Sequence, residues 1–131
     1  MKILILLIII ILIAWYLPAL VCGQEAFVTE ASYYTRASCI AESGQCVMAN
    51  GKELQDETRI AASWDYPLGT LLKISLINNK NRSVIVRVTD RGPAKRLYRA
   101  GRRIDLSKGA FEKLALLHKG IIRVKVEKWQ K

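Results

Sequence analysis

The segment Val84-Ile85-Val86-Arg87-Val88-Thr89-Asp90-Arg91-Gly92-Pro93 constrains the fold more than any other. Val84, Val86 and Val88 share one parity and therefore one face of a strand. Gly92-Pro93 stops that strand, because proline brings no ladder N–H and glycine accepts turn dihedrals. Asp90 continues the valine parity and is expected at the strand's end, where the buried face opens to solvent. A carboxylate held between a packed strand and a rigid turn has a defined position, as acid catalysis requires. The same placement would also serve a turn cap or a pair with Arg91.

A valine face of this kind needs other strands to cover it, and the chain supplies them. Residues 24–34 read as a first strand, and residues 58–63 as a short second one. From Thr70 to Ile77, Leu72, Ile74 and Leu76 fall on one face. Asn78-Asn79-Lys80-Asn81 then reads as a turn, so residues 70–90 form a β-hairpin. Cys39 to Cys46 reads as a polar loop, Met48-Ala49-Asn50-Gly51 as a turn, and residues 94–103 as a basic loop before an extended Ile104-Asp105-Leu106. Ser107 is a helix N-cap ahead of an apolar stripe (Ala110, Phe111, Leu114, Ala115, Leu117) that stops at Gly120. Ile122, Val124 and Val126 alternate with charged residues as a last strand. Short strands with one late helix imply a small β-barrel.

The 131-residue chain has room for one modest domain, residues 24–131, behind an export segment at 1–23. After Met1-Lys2 no charged residue appears from Ile3 to Cys22. A cleaved signal ending at Gly23 fits this stretch first. An uncleaved anchor fits second, since roughly 20 apolar residues span a bilayer. Lipidation at Cys22 comes third, because Val21 is bulky for that processing. Each fate places the domain outside the cytoplasm, as a periplasmic, cell-surface or secreted protein, and the second ties it to a membrane through residues 3–22. Cys39 and Cys46 are expected to form a disulfide there. A metal site would need more ligands than the single His118 and this pair offer, and no cofactor is expected. Residues 24–72 carry a net charge of −4 and residues 73–131 one of +13. The basic half suits an anionic cell-wall polymer or lipid headgroups. Nucleic acid is not expected, because no recognition motif accompanies the charge.

In order and spacing, Ala49-Asn50-Gly51, Ala61-Ala62-Ser63, Pro67-Leu68-Gly69-Thr70, Asn78 to Arg82, Ser83-Val84, Asp90-Arg91-Gly92-Pro93 and Arg103-Ile104-Asp105-Leu106-Ser107 resemble the rare lipoprotein A family. The likeness covers roughly Ala31 to Val126. It implies a mainly β fold, a single six-stranded double-psi β-barrel with one or two short helices, related to expansins. It also implies an exported enzyme that acts on peptidoglycan glycan strands. Characterised members are lytic transglycosylases that cleave between N-acetylmuramic acid and N-acetylglucosamine and leave 1,6-anhydro ends. The alternative is an expansin-like wall-binding module without catalysis.

In this resemblance Asp90 matches the family's acid in the Asp-Arg-Gly-Pro motif and is the leading catalytic candidate. Glu53 and Asp105 are further acids to test. An acid often follows the family's Ala-x-Gly turn directly, whereas here Lys52 stands there and Glu53 comes one place later. Ser63 occupies the position where histidine is common, and serine cannot shuttle protons near neutral pH as histidine can. Arg91 and Arg87, with Arg96, are expected to meet the carboxylate of muramic acid. Tyr34 and Trp64, with Tyr66, offer rings for stacking on sugars. Ser63 completes the expected substrate contacts.

Overall fold

The computed structural model describes Met1 and residues 25–131, so the segment 1–23, expected to direct export, lies outside the described residues apart from Met1. Six strands close into a barrel: β1 (Phe27–Tyr34), β2 (Ile60–Ser63), β3 (Leu71–Leu76), β4 (Asn79–Asp90), β5 (Arg102–Ser107) and β6 (Ile122–Lys128). Around the barrel the order is β1-β5-β2-β4-β3-β6, with β6 returning to β1. β1 runs parallel to β5 and β2 parallel to β4, while the other pairings are antiparallel. The alternation read from the sequence fills the interior. Ala31, Ala61, Leu72, Ile74, Val84, Val86, Val88, Ile104, Leu106, Val124 and Val126 form one buried cluster. Phe111 joins it fully buried, with its ring centroid 4.9 Å from that of Tyr33. No helix among the described residues is long and apolar enough to cross a membrane.

Among the described residues there are three short helices where one or two were expected: α1 (Arg36–Ser43), α2 (Lys95–Arg99) and α3 (Lys108–Glu112). α1 replaces the expected cysteine loop. Thr35 caps it reciprocally, accepting from the Ser38 amide while the Thr35 amide donates to Ser38 Oγ. Gly44, at φ 76°, ends it in the left-handed conformation that glycine adopts without a Cβ penalty. α1 buries no residue, so it carries no apolar stripe to betray it in the sequence. α3 starts at the expected Ser107 cap but stops well before Gly120. In a continuing helix the Leu114 carbonyl would take the amide of residue 118; here it accepts from Arg82 Nη1 at 3.3 Å. A 3₁₀ turn at Leu117–Lys119 follows instead, with His118 exposed on it. The hairpin of β3 and β4 turns at Ile77-Asn78, earlier than expected, with Leu76 paired to Asn79. Cys39 and Cys46 form the expected disulfide, their Cα atoms 5.3 Å apart. It ties α1 to a second small cluster of Met48, Leu54 and Ile60 outside the barrel.

Candidate active site

β-bulges decide where the acids point. On β2, Ala61 packs in the barrel core, so Ala62 faces outward. Ala61 pairs with Val88 and Ala62 with Asp90, which leaves Thr89 as an extra residue on β4. An extra residue of this kind re-aims the side chain that follows it. Asp90 therefore leaves the inward parity of Val84, Val86 and Val88 and joins Ala62 on the outer face. On the other flank of Ala62, β5 presents Asp105 between the inward Ile104 and Leu106. Asp90 and Asp105 are thus two strand spacings apart, about 9–10 Å between Cα atoms. Both line one open groove of about 400 Å³. Ser32, Tyr34, Ala62, Asp90 and Asp105 form its floor. α1 supplies one wall through Ser38, Cys39, Glu42 and Ser43, and Gly92 to Ala94 with Leu97 supply the other.

The two acids are held differently. Asp90 Oδ1 accepts the Ala49 amide at 2.9 Å and the Arg91 amide at 2.8 Å, so backbone fixes it. Asp105 Oδ1 accepts from Ser32 Oγ at 2.6 Å and lies 3.5 Å from Arg102 Nε. The Asp105 side chain is only 17% exposed. Burial pushes its carboxyl above the usual aspartate range, and the Ser32 hydrogen bond and the Arg102 charge only partly offset that. Tyr34 stands beside both. Its hydroxyl is buried and close enough to Asp90 to feel its charge, yet no acceptor among the described residues meets hydrogen-bond geometry. Burial first, then Asp90 and Asp105, keep that phenol protonated far above the ordinary tyrosine range.

The other expected site residues lie elsewhere. Glu53, with a side chain 60% exposed, pairs with Arg36 at 3.2 Å outside the groove lining. Arg87 spends its guanidinium on the Gly69 carbonyl at 3.0 Å. Arg91 clamps the turn after β2, donating to the Ser63 and Tyr66 carbonyls at 2.8 and 2.6 Å. It lines the groove, but this end of it is occupied. Arg96 is exposed on α2. Ser63 is buried and accepts the Asp65 amide, so its hydroxyl serves a turn and not the groove. Trp64, 43% exposed, donates its indole N–H to the Pro93 carbonyl at 2.7 Å, with Lys95 Nζ 5.3 Å from the ring centroid. It braces the groove's second wall from outside the lining. Tyr66 is buried against Phe27, and only Tyr34 of the three rings reaches the groove. Sequence reasoning missed Ser32, Glu42 and Arg102. In an unbulged strand Arg102 would face away from Asp105, three residues on. No cluster of metal-ligating side chains occurs among the described residues.

A family model described as lytic transglycolase matches residues 26–126. The chain is 34% identical over 118 residues to the probable endolytic peptidoglycan transglycosylase RlpA of Treponema pallidum (strain Nichols), covering 88% of this chain and 34% of that protein. It is 39% identical over 79 residues to the endolytic peptidoglycan transglycosylase RlpA of Campylobacter jejuni, covering 60% of this chain and 27% of that protein. The chain thus spans about a third or less of the length of these relatives. Among solved structures, Streptomyces papain inhibitor superposes with a TM-score of 0.59 at 22% identity, over 83% of this chain and 98% of that one. A mutant Clavibacter michiganensis expansin in complex with cellohexaose gives a TM-score of 0.56 at 17% identity, over 81% of this chain and 51% of that one. At these identities the likeness shows the shared barrel fold alone.

Proposed function

Because the chain belongs to the family of rare lipoprotein A-like double-psi β-barrels, described as lytic transglycolases, we propose that its groove binds a peptidoglycan glycan strand and cleaves between N-acetylmuramic acid and N-acetylglucosamine. The observation that carries this reading is the convergence of Asp90 and Asp105 from the two strands flanking Ala62. Burial makes the acid form of Asp105 more available than that of an ordinary aspartate, which suits a proton donor to the glycosidic oxygen. As that bond breaks, oxocarbenium-like charge develops at the anomeric carbon. Asp90 takes the proton from the C6 hydroxyl, whose oxygen closes the 1,6-anhydro ring. One proton goes to the leaving sugar and one comes from C6, so no water is consumed. Tyr34, kept neutral by burial, lines the same groove.

The test is incubation with purified peptide-free glycan strands and mass spectrometry of the products. Anhydromuramic ends should appear, and should vanish in Asp90→Asn and in Asp105→Asn; their absence with well-folded wild type would sink the reading. One observation favours the module that binds without cleaving: the buried Ser63 brings no proton shuttle to the place where histidine is common in the family. That reading predicts co-sedimentation with cell wall, unchanged glycan length, and binding that weakens as salt screens the charge. We also place the domain outside the cytoplasm, periplasmic or secreted; the uncharged Ile3–Cys22 stretch and the disulfide support this. Whether residues 1–23 are removed or retained as a membrane anchor would be read from the mass of the mature chain.

A further inference from the structure

The groove centres on β2, and in the closed order β1-β5-β2-β4-β3-β6 the strand three places away in either direction is β6. The outer face of β6 therefore looks away from the groove, from the far side of the barrel. Ile122, Val124 and Val126 are buried, so Ile121, Arg123, Lys125, Glu127 and Trp129 form the outward row. Lys73 joins them from β3, between the buried Leu72 and Ile74, and Val28 of β1 pairs with Lys125. Three apolar side chains of this face are open to solvent: Ile121 at 50%, Val28 at 49% and Trp129 at 39%. Trp129 is tied to the barrel by its amide, which donates to the Leu71 carbonyl at 2.8 Å, and Lys73 Nζ lies 5.8 Å from its ring centroid. Two acids share the face: Glu127 binds Lys125 at 2.7 Å, and Glu30 stands opposite Arg123. Against them are Lys73, Arg123, Lys125 and the exposed Lys128, a net of two positive charges. Among the described residues no carboxylate comes within ion-pair distance of Lys73 or Lys128.

We infer that this face docks on an anionic lipid bilayer. Cations meet the negative headgroups of such a surface, and an exposed tryptophan settles at headgroup level with its ring half in the apolar layer. A soluble polyanion would use the cations and leave Ile121, Val28 and Trp129 in water; a bilayer uses both. The chain's own course favours the same partner. Phe27 opens β1 paired with Val126 of β6. The uncharged Ile3–Cys22 stretch ends five residues before Phe27, a reach of at most about 17 Å. A bilayer that holds this stretch is thus within reach of the β6 face, and the tether raises the local concentration of one for the other. Two net charges make a weak contact alone, so the tether and the face act together. Docked this way, the barrel keeps its groove pointing away from the lipid. The inference goes beyond the glycan reading and stands without it.

The test places the full chain on vesicles of phosphatidylglycerol or of phosphatidylcholine and reads the acetylation rate of each lysine by peptide mass spectrometry. Lys73 and Lys128 should be acetylated about tenfold more slowly on the anionic vesicles, within the scale that two net cations give at such a surface. Lys95, exposed beside the groove's second wall, should react alike on both. Lys73→Gln with Lys125→Gln removes the net charge and should return Lys128 to its rate on phosphatidylcholine. Trp129→Ala should lose about half of the slowing or more on a logarithmic scale. Thermal midpoints confirm that both variants fold. Equal rates for Lys73 and Lys128 on the two lipids overturn the inference, as does slowing that the double variant leaves intact. Protection of Lys95 to the same degree overturns it too, since any basic surface would then serve. Soluble polyphosphate added to the phosphatidylcholine vesicles separates lipid from polymer: if it slows Lys73 and Lys128 as strongly as phosphatidylglycerol does, the face is a polyanion site and not a bilayer-docking one. A full chain that fails to float with phosphatidylglycerol vesicles removes the inference outright.

Discussion

The two flanks of Ala62 solve the same problem by different means. On β4, Asp90 is pinned through one oxygen by two backbone amides, and changes to neighbouring side chains leave those donors in place. On β5, Asp105 is held by the side chains of Ser32 and Arg102 in a drier setting, which raises its hold on a proton. Backbone anchoring gives position; side-chain anchoring in a low-dielectric pocket gives chemistry that can be tuned. A proton donor and a positioned base need these two environments, as other pairs of acids with divided roles do.

The comparison breaks most visibly if the acids are replaced one at a time. Asp90→Asn and Asp105→Asn should each lower kcat on peptide-free glycan by about 10²–10⁴-fold, the range for a general acid or base. Their stabilities should part company. Asp90→Asn keeps an acceptor for both amides and should shift stability by no more than about 1 kcal/mol. Asp105 has a folded-state pKa raised above its unfolded value, so its ionisation costs stability as pH rises through the folded pKa. Asp105→Asn should therefore melt higher than wild type at neutral pH, and that gain should disappear in acid, below both pKa values. Calorimetric melts from acid to neutral pH check the sign, and a variant that melts lower at neutral pH would contradict it.

The wall that both acids share comes next. Cys39→Ser with Cys46→Ser should cost roughly 2–3 kcal/mol in the chain-entropy account of a loop this short. It should also raise KM more than it lowers kcat, because α1 lines the groove without touching either carboxylate oxygen. A narrower change tests the space between the acids. A Cβ at Gly92 would sit 3.2 Å from Ala62 Cβ and 4.0 Å from Asp105 Oδ2. Gly92→Ala should destabilise by about 1 kcal/mol and, by crowding the Asp105 side, impair kcat/KM on glycan beyond what the melt accounts for. The smallest effect belongs to Glu53. Glu53→Gln loses only an exposed pair with Arg36 and should leave turnover unchanged and stability within about 0.5 kcal/mol. A large loss of turnover there would reopen the site.

The strands were legible because alternation is a local signal: Leu72 and Ile74, Val84 to Val88, and Ile122 to Val126 bury as their parity requires. The Ser107 cap was legible for the same reason, since its hydroxyl meets the Ala110 amide three residues on. α1 was hidden because it has caps but no buried face. α3 ends at Glu112, and just beyond it the Leu114 carbonyl is taken by Arg82, thirty-two residues away in the chain, a partner that no local pattern reveals. Gly109 carries a constraint that no spacing reveals: a Cβ there would meet the Glu57 carbonyl oxygen at 2.6 Å, so the backbones touch across the fold.

For the site, the chain by itself determined which acids and which turn were available: Asp90 beside Gly92-Pro93, and Asp105 before a capped helix. Tertiary structure decided which way they face. A strand's parity fixes sides only while its register is unbroken, and a single extra residue reverses everything beyond it. Thr89 does this for Asp90, and Arg103 does it for Arg102. Each extra residue is defined only by the strand opposite, which in both cases is a parallel neighbour distant in sequence. The groove is therefore a property of the closed barrel.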